Sequence, residues 1–259
     1  MDDSAHSCNE ALVSFSNPVT HRQLHHGYLD LDIAHDSAIE CVQLLQRDSG
    51  QCQRAGARMV IKQSGSLLHW NYFLALEADL ERLARFIEFV EQNFCTFSVE
   101  IARLLQSACS EVDALAYQLC VHFDANTKAE SIDQYRCVLR EGIPELESTT
   151  VQVPRYGLSL TPWTNWQSDS TPKWWSDHNK VKHHRSEYFD RANVENLLNA
   201  SAGLLLMTVC FYRLTTDVEL LEPPPTLLKP ERTFAPIELI LGVGAALIVR
   251  PKIARGVSE

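Results

Sequence analysis

The chain has 259 residues, of which 45% are hydrophobic and 22% are charged, and its formal net charge is −10. This length and composition are typical of a globular protein with one large domain or two small ones. The acidic balance argues against a general polyanion binder, because such proteins carry a basic surface. Only a local basic region remains for that purpose.

The eight cysteines contain no C-x-x-C pair, so the sequence predicts neither a zinc knuckle nor a thioredoxin-type redox site. The first dozen residues are polar and acidic and do not form a signal peptide, so we expect a cytoplasmic protein. Two apolar runs begin at Leu197 and Ile237. We interpret both as buried core and expect no membrane association.

Residues 1–66 show no sustained periodicity, and their histidines lack the spacing of metal ligands. A short helix over 38–47 and a short strand over 57–63 are the only regular elements that the pattern indicates. We therefore expect an irregular or partly disordered N-terminal segment.

Residues 67–216 predict an α-helical domain that begins with a long amphipathic helix. Apolar residues at 3-4 spacing extend this helix to residue 94, with Glu77 among the residues that mostly face water. These apolar positions are Phe73, Leu76, Leu80, Leu83, Ile87, Val90 and Phe94.

A second helix follows a cap at Thr96 or Ser98. Its apolar stripe consists of Ile101, Leu104, Leu105, Ala108, Val112, Leu115 and Leu119. The short connection predicts an antiparallel hairpin of the first two helices. A third, weaker helix covers residues 128–140.

An irregular section over 143–171 comes next, with a possible extended piece at 151–153 and with Trp163 and Trp166 packed onto the helices. Thr171 and the following proline then predict the start of a helix over 173–189.

Asp190 can cap the next helix, over 192–214, which is apolar on most sides and should occupy the centre of a bundle. Residues 217–259 form a C-terminal appendage, in which an extended proline-rich link precedes an apolar tail. The tail fits either a strand pair or a short packed helix.

The most distinctive stretch is PKWWSDHNKVKHHRSEYFD, residues 172–190, which is locally basic: residues 173–191 contain five Lys or Arg and three Asp or Glu. Helical spacing predicts a buried stripe and a neighbouring polar face. The predicted buried stripe is Trp174, Val181 and Tyr188, and the predicted polar face is Trp175, Asn179, Lys182, His183 and Ser186. A solvated helix face beside a core is the simplest alternative interpretation.

The histidine spacing in this stretch does not match an H-E-x-x-H helix, so we expect no metal and no other cofactor. Acid–base chemistry on a phosphodiester fits better. His183 can exchange the proton of a ribose 2′-hydroxyl, while Lys182 and Arg185 stabilise charge on the phosphate. Glu111, at the edge of the second helix's stripe, is a candidate to orient the imidazole. It can equally be a partly buried residue paired to lysine or backbone.

Three segments carry a resemblance to a known family: NYFLALEADLERLARFIEFVEQNF, FSVEIARLLQSACSEVDALAYQLC and WWSDHNKVKHHR. Their order and the W-x-x-x-N-x-x-K-H-x-R pattern resemble the HEPN superfamily and a group of bacterial proteins with the same motif. The resemblance covers residues 67–214. It implies a HEPN-like antiparallel helical bundle, many members of which are metal-independent ribonucleases of toxin–antitoxin, abortive-infection and CRISPR-associated systems.

The family signature is an arginine, a polar residue and, a few positions later, a histidine. Asn179 takes the polar position and His183 the histidine, but His178 stands where the family has arginine. This departure matters because histidine is not a permanently charged, bidentate phosphate clamp.

The resemblance implies an RNA-binding protein, and a possible endoribonuclease, in bacterial defence or stress response. The expected catalytic residues are His183, Asn179, Arg185 and Glu111, and the expected substrate-binding residues are Lys182, His178, Lys180 and Trp175. RNA, a protein partner such as an antitoxin, and a second copy of the chain are the expected partners. The alternative is a non-catalytic helical module for protein interaction with a degenerate HEPN motif.

Overall fold

The structure is a computed structural model that describes residues 66–240 and 244–249. The predictions for residues 1–65 lie outside this range. The described part is mainly helical, in agreement with the mainly α-helical character that the sequence predicts. Its helices are α1 (Leu68–Leu83), α2 (Val99–Phe123), α3 (Ile132–Gly142), α4 (Lys173–His183), α5 (Arg185–Tyr188) and α6 (Val194–Thr215). Its strands are β1 (Val151–Val153), β2 (Leu158–Leu160), β3 (Leu220–Leu221), β4 (Lys229–Pro230), β5 (Ile237–Ile240) and β6 (Gly244–Ile248).

Helices α1 and α2 form the predicted antiparallel pair. Arg103 near the start of α2 contacts Asp79 near the end of α1 at 2.9 Å, and the Tyr72 hydroxyl donates to the Ser107 carbonyl. Of the two predicted caps, Thr96 and Ser98, it is Ser98 that caps α2: its hydroxyl accepts from the Ile101 amide at 3.1 Å. Every predicted apolar position of α2 is buried, which confirms the stripe.

The first helix ends at Leu83, so its predicted extension to residue 94 was wrong. Phe89 lies outside the 3-4 pattern, yet it is fully buried, with its ring 5.2 Å from that of Tyr156. Phe86, in contrast, is 85% exposed. Turns and a 3-10 segment, Glu91–Asn93, replace the helix here. Tertiary packing of Phe89 outweighs the local periodicity.

Glu77 on α1 does not face water, as the pattern predicted, but is buried. Its carboxylate accepts from the backbone amides of Thr226, Leu227 and Leu228 at 2.8–2.9 Å. A buried carboxylate needs such donors, because losing water without replacement would be costly. These bonds attach the proline-rich link to the helical bundle.

The link and the tail are extended. Strand β4 pairs with β1 and β1 with β2, all antiparallel, and the extended piece expected at 151–153 is β1. In the second sheet β6 lies between β3 and β5, so the tail adopts the strand pair rather than the packed helix.

The section 143–171 is fixed to α3 by Arg140, which donates to the Glu147 and Asp169 carboxylates and to the Trp166 carbonyl. As predicted, Trp163 and Trp166 are fully buried. The third helix starts at Ile132, after the Ser131 cap, rather than at residue 128.

Helix α6 is the central helix and is buried on nearly every side. Its cap is Asn193, whose side-chain oxygen accepts from the backbone amide of Asn196. The prediction that Asp190 caps this helix was therefore wrong. The helix is long and apolar enough to cross a membrane, but most of it is buried inside the protein. A central helix of a bundle has the same properties, so it does not by itself establish a span.

Candidate functional site

Helix α4 carries the distinctive stretch, and it is shorter than predicted. It begins at Lys173 without the predicted Thr171 cap, because the Thr171 hydroxyl donates to Asp133 instead. It ends at His183, and the backbone of His184 (φ −136°, ψ 51°) turns the chain into α5. Tyr188 therefore does not continue the buried stripe of α4 and is only half-buried.

A group of tryptophans holds the inner face of α4. The Trp174 indole donates to the Pro162 carbonyl at 2.8 Å, and its ring lies 5.1 Å from that of Trp163. Gly203 on α6 permits this approach, since a Cβ there would lie 3.2 Å from Trp174 and 3.4 Å from Trp163. Aromatic packing of this kind fixes the position of the helix.

Asp177 also belongs to the inner face and is buried. Its carboxylate accepts from the Asn196 amide of α6 at 3.0 Å and contacts Lys173 at 3.4 Å and Lys180 at 3.3 Å. Lys173 also contacts Glu195 at 3.0 Å. This network ties α4 to the start of α6 and occupies the ammonium group of Lys180.

His178 faces inward, which corrects its predicted role in substrate binding. It is 6% exposed, and its ring lies 5.9 Å from that of Trp175. Burial, with a smaller contribution from the nearby Lys182 and His183, lowers the pKa of His178 to about 4. At neutral pH the residue is therefore uncharged and cannot act as the charged phosphate clamp that the HEPN resemblance would require at this position.

The outer side of α4 borders an open cleft of about 670 Å³. Five of the predicted site residues line it: Trp175, Asn179, Lys180, Lys182 and His183. The remaining lining residues come from α2, from the start of α3 and from the two ends of α4: Asp113, Glu130, Ser131, Ile132, Asp133, Thr171, Ser176 and His184. Asn179, Lys182 and His183 are exposed, while Trp175 is largely buried.

Besides His178, two more predicted site residues are not in the lining. Arg185 begins α5 beyond the turn at His184 and is exposed to solvent. The Glu111 carboxylate lies 2.6 Å from the Nδ1 atom of His69 on α1. The orienting role expected for Glu111 is therefore corrected: its imidazole partner is His69, not His183.

Asp113, two residues after Glu111, is the carboxylate that α2 contributes to the cleft. Partial desolvation raises the pKa of Asp113, against the opposing effects of the Tyr135 hydroxyl and of Lys182. The sequence analysis missed this residue. Its position between the buried Cys109 and Ala116 places it at the edge of the apolar stripe, where a groove between helices begins.

The cleft combines groups of several chemical kinds. Lys182 supplies a cation, His183 an imidazole that can take or give a proton, and Asn179 both a donor and an acceptor. Within the described ranges, no cluster of three or more His, Cys, Asp or Glu side chains is arranged to hold a metal ion.

No protein-family model, curated protein or solved structure matches this chain. The resemblance to the HEPN superfamily therefore stays a prediction, and the function has to be argued from the cleft.

Proposed function

We propose that the cleft beside α4 binds single-stranded RNA and that His183 acts there in metal-independent cleavage. The observation that carries this proposal is the convergence of Asn179, Lys182 and His183 on one open cleft. We further propose a HEPN-like bundle in the bacterial cytoplasm that serves defence or stress response, with an antitoxin protein or a second copy as partner.

The proposed reaction is transfer within the RNA strand. A ring nitrogen of His183 takes the proton of a ribose 2′-hydroxyl, and the 2′-oxygen forms a bond to phosphorus. The bond between phosphorus and the 5′-oxygen breaks, and that oxygen takes a proton from water. The hydroxide left behind takes the proton from His183, which restores the neutral imidazole and the water molecule. The products are a 2′,3′-cyclic phosphate and a 5′-hydroxyl.

Lys182 and Asn179 suit the phosphate in this reaction. The exposed ammonium group of Lys182 can attract the phosphate and offset its growing charge, and the Asn179 amide can donate to a non-bridging oxygen. Lys180 contributes less, because it also contacts Asp177 at 3.3 Å.

A second candidate function is RNA or protein binding without cleavage. The burial of His178 supports it, because the position of the family's arginine then presents no permanent charge to the cleft. In that case Lys182 still contributes to binding, and His183 has no chemical role.

Cleavage of a labelled single-stranded RNA in EDTA separates the two candidates. We expect wild-type protein to yield 2′,3′-cyclic phosphate ends, and His183→Ala to be slower by about 10²- to 10⁴-fold, the usual contribution of a general acid or base. His122→Ala is the matched control, since His122 is an exposed histidine outside the cleft lining.

Equal cleavage by wild-type protein and His183→Ala would refute the catalytic role. Binding without any cleavage by the wild-type protein would instead support the second candidate. Absence of both binding and cleavage would refute the proposed function altogether.

A further inference from the structure

The cleft has two chemically different walls. On α4, Lys182 and His183 offer nitrogen groups, whereas Asp113 on α2 and Glu130 before α3 offer carboxylates. RNA phosphates are anionic and are repelled by carboxylates, so the second wall does not suit the backbone. RNA bases, in contrast, present N–H donors that a carboxylate accepts.

Asp113 lines the cleft as an exposed carboxylate at the edge of the buried stripe of α2. The Tyr135 hydroxyl and the charge of Lys182 both favour its charged form and oppose the effect of partial desolvation on its pKa. Tyr135 is itself buried, and burial raises its pKa to about 12, so the phenol remains a donor at neutral pH. A carboxylate has about four acceptor sites, so both oxygens of Asp113 can accept from a ligand.

Guanine matches this arrangement better than the other bases. Its N1–H and N2–H groups are parallel donors on the Watson–Crick edge, and they fit the two oxygens of one carboxylate. Adenine and cytosine present one amino group on that edge, and uracil one imino group. Trp175 lines the same cleft, but it is only 8% exposed, so the contact with the base falls mainly to Asp113.

We infer that Asp113 determines specificity, and that it selects a guanine next to the phosphate held by Lys182 and Asn179. This inference rests on the proposed function, because the phosphate wall must first hold the strand. Asp113 is a binding residue here and takes no part in proton transfer.

The test is fluorescence anisotropy with five RNA heptamers, each a uridine strand whose central base is guanine, hypoxanthine, adenine, cytosine or uracil. Hypoxanthine lacks only the N2 amino group of guanine. We expect wild-type protein to bind the guanine strand at least about fivefold more tightly than the hypoxanthine strand, the low end for a bidentate contact. Asp113→Asn should remove this preference, because the amide offers only one acceptor oxygen.

Asp124→Asn is the matched control, since Asp124 follows the last residue of α2 and lies outside the cleft lining. Asp124→Asn should keep the preference for guanine. The asparagine retains a side-chain oxygen that can accept from the Asn126 backbone amide, as Asp124 does.

Equal wild-type binding of all five strands would overturn the inference but leave the proposed function standing. A guanine preference that persists in Asp113→Asn would also overturn it. No binding of any strand would overturn both. The comparison of guanine and hypoxanthine in the wild-type protein remains decisive if Asp113→Asn does not fold.

Discussion

His178 and His183 lie five residues apart on the same helix, yet their surroundings are opposite. His178 is buried against Trp175 and is uncharged at neutral pH, whereas His183 is exposed and lines the cleft. A motif rich in reactive side chains therefore divides into two parts. The inner part positions the helix, and the outer part is available to a ligand.

The same division separates the other residues of α4. Trp174 packs against Trp163, and Asp177 accepts from the Asn196 side chain at the start of α6. Both residues are buried. Asn179 and Lys182 are exposed at the cleft. Substitutions on the inner face should therefore change stability, and those on the outer face should change binding.

The largest effect on stability is expected for Trp174→Ala. It removes a buried indole and its hydrogen bond to Pro162, which should lower the free energy of unfolding by about 3–5 kcal/mol. Lys182→Ala on the outer face is the comparison and should stay within about 0.5 kcal/mol of the wild type. Urea denaturation measures both, and similar losses in the two variants would contradict the division.

The next largest effect is the pH dependence that His178 gives to the free energy of unfolding. The pKa of His178 is about 4 in the folded protein, against a reference value of 6.5, so protons bind the unfolded chain more tightly. Above pH 6.5 the histidine does not reduce the free energy of unfolding. As the pH falls from 6.5 to about 4, that free energy decreases by roughly 3 kcal/mol in total.

Replacing His178 with Leu should remove this part of the pH dependence, and His183→Ala should keep it. The measurement is the free energy of unfolding between pH 4 and 7, compared as differences from the wild type. The same pH profile in His178→Leu and wild-type protein would show that the histidine is not buried in its neutral form.

A smaller loss, about 1–3 kcal/mol, is expected for Asp177→Ala, because the buried amide of Asn196 loses an acceptor. Lys173 and Lys180 are about half exposed and can return to water, which limits the cost. Asp190→Ala, which removes an exposed carboxylate, should have little effect. Equal unfolding midpoints for the two variants would argue against a structural role for the Asp177 network.

Periodicity was sufficient to predict α2 and its buried stripe, because many apolar residues repeat the same face, and the apolar character of α6 on most sides was sufficient to predict a buried central helix. Helix ends were harder to predict. Phe89 lies outside the helical pattern and packs against Tyr156. At His184 the chain turns, although sequence periodicity alone would continue the helix. The position of Phe89 depends on a contact with a residue distant in sequence, which periodicity does not reveal.

The site shows the same limit. Asn179, Lys182 and His183 were predicted correctly to share a face, because helical spacing determines it. Glu111 and Asp113 both lie near the edge of the α2 stripe, and only the positions of α1 and α4 decide that Glu111 meets His69 while Asp113 meets the cleft. The family resemblance predicts His178 among the binding residues, whereas its burial depends on how α4 packs, which the sequence does not reveal.

The most direct test of a ligand-binding outer face is a histidine NMR titration with a short single-stranded RNA. The chain has ten histidines, and His178→Leu and His183→Ala variants assign the two ring signals that matter. We predict that the His183 signals shift on addition of RNA while those of His178 stay in place. Signals from His183 that do not move, under conditions where RNA binds, would contradict the account.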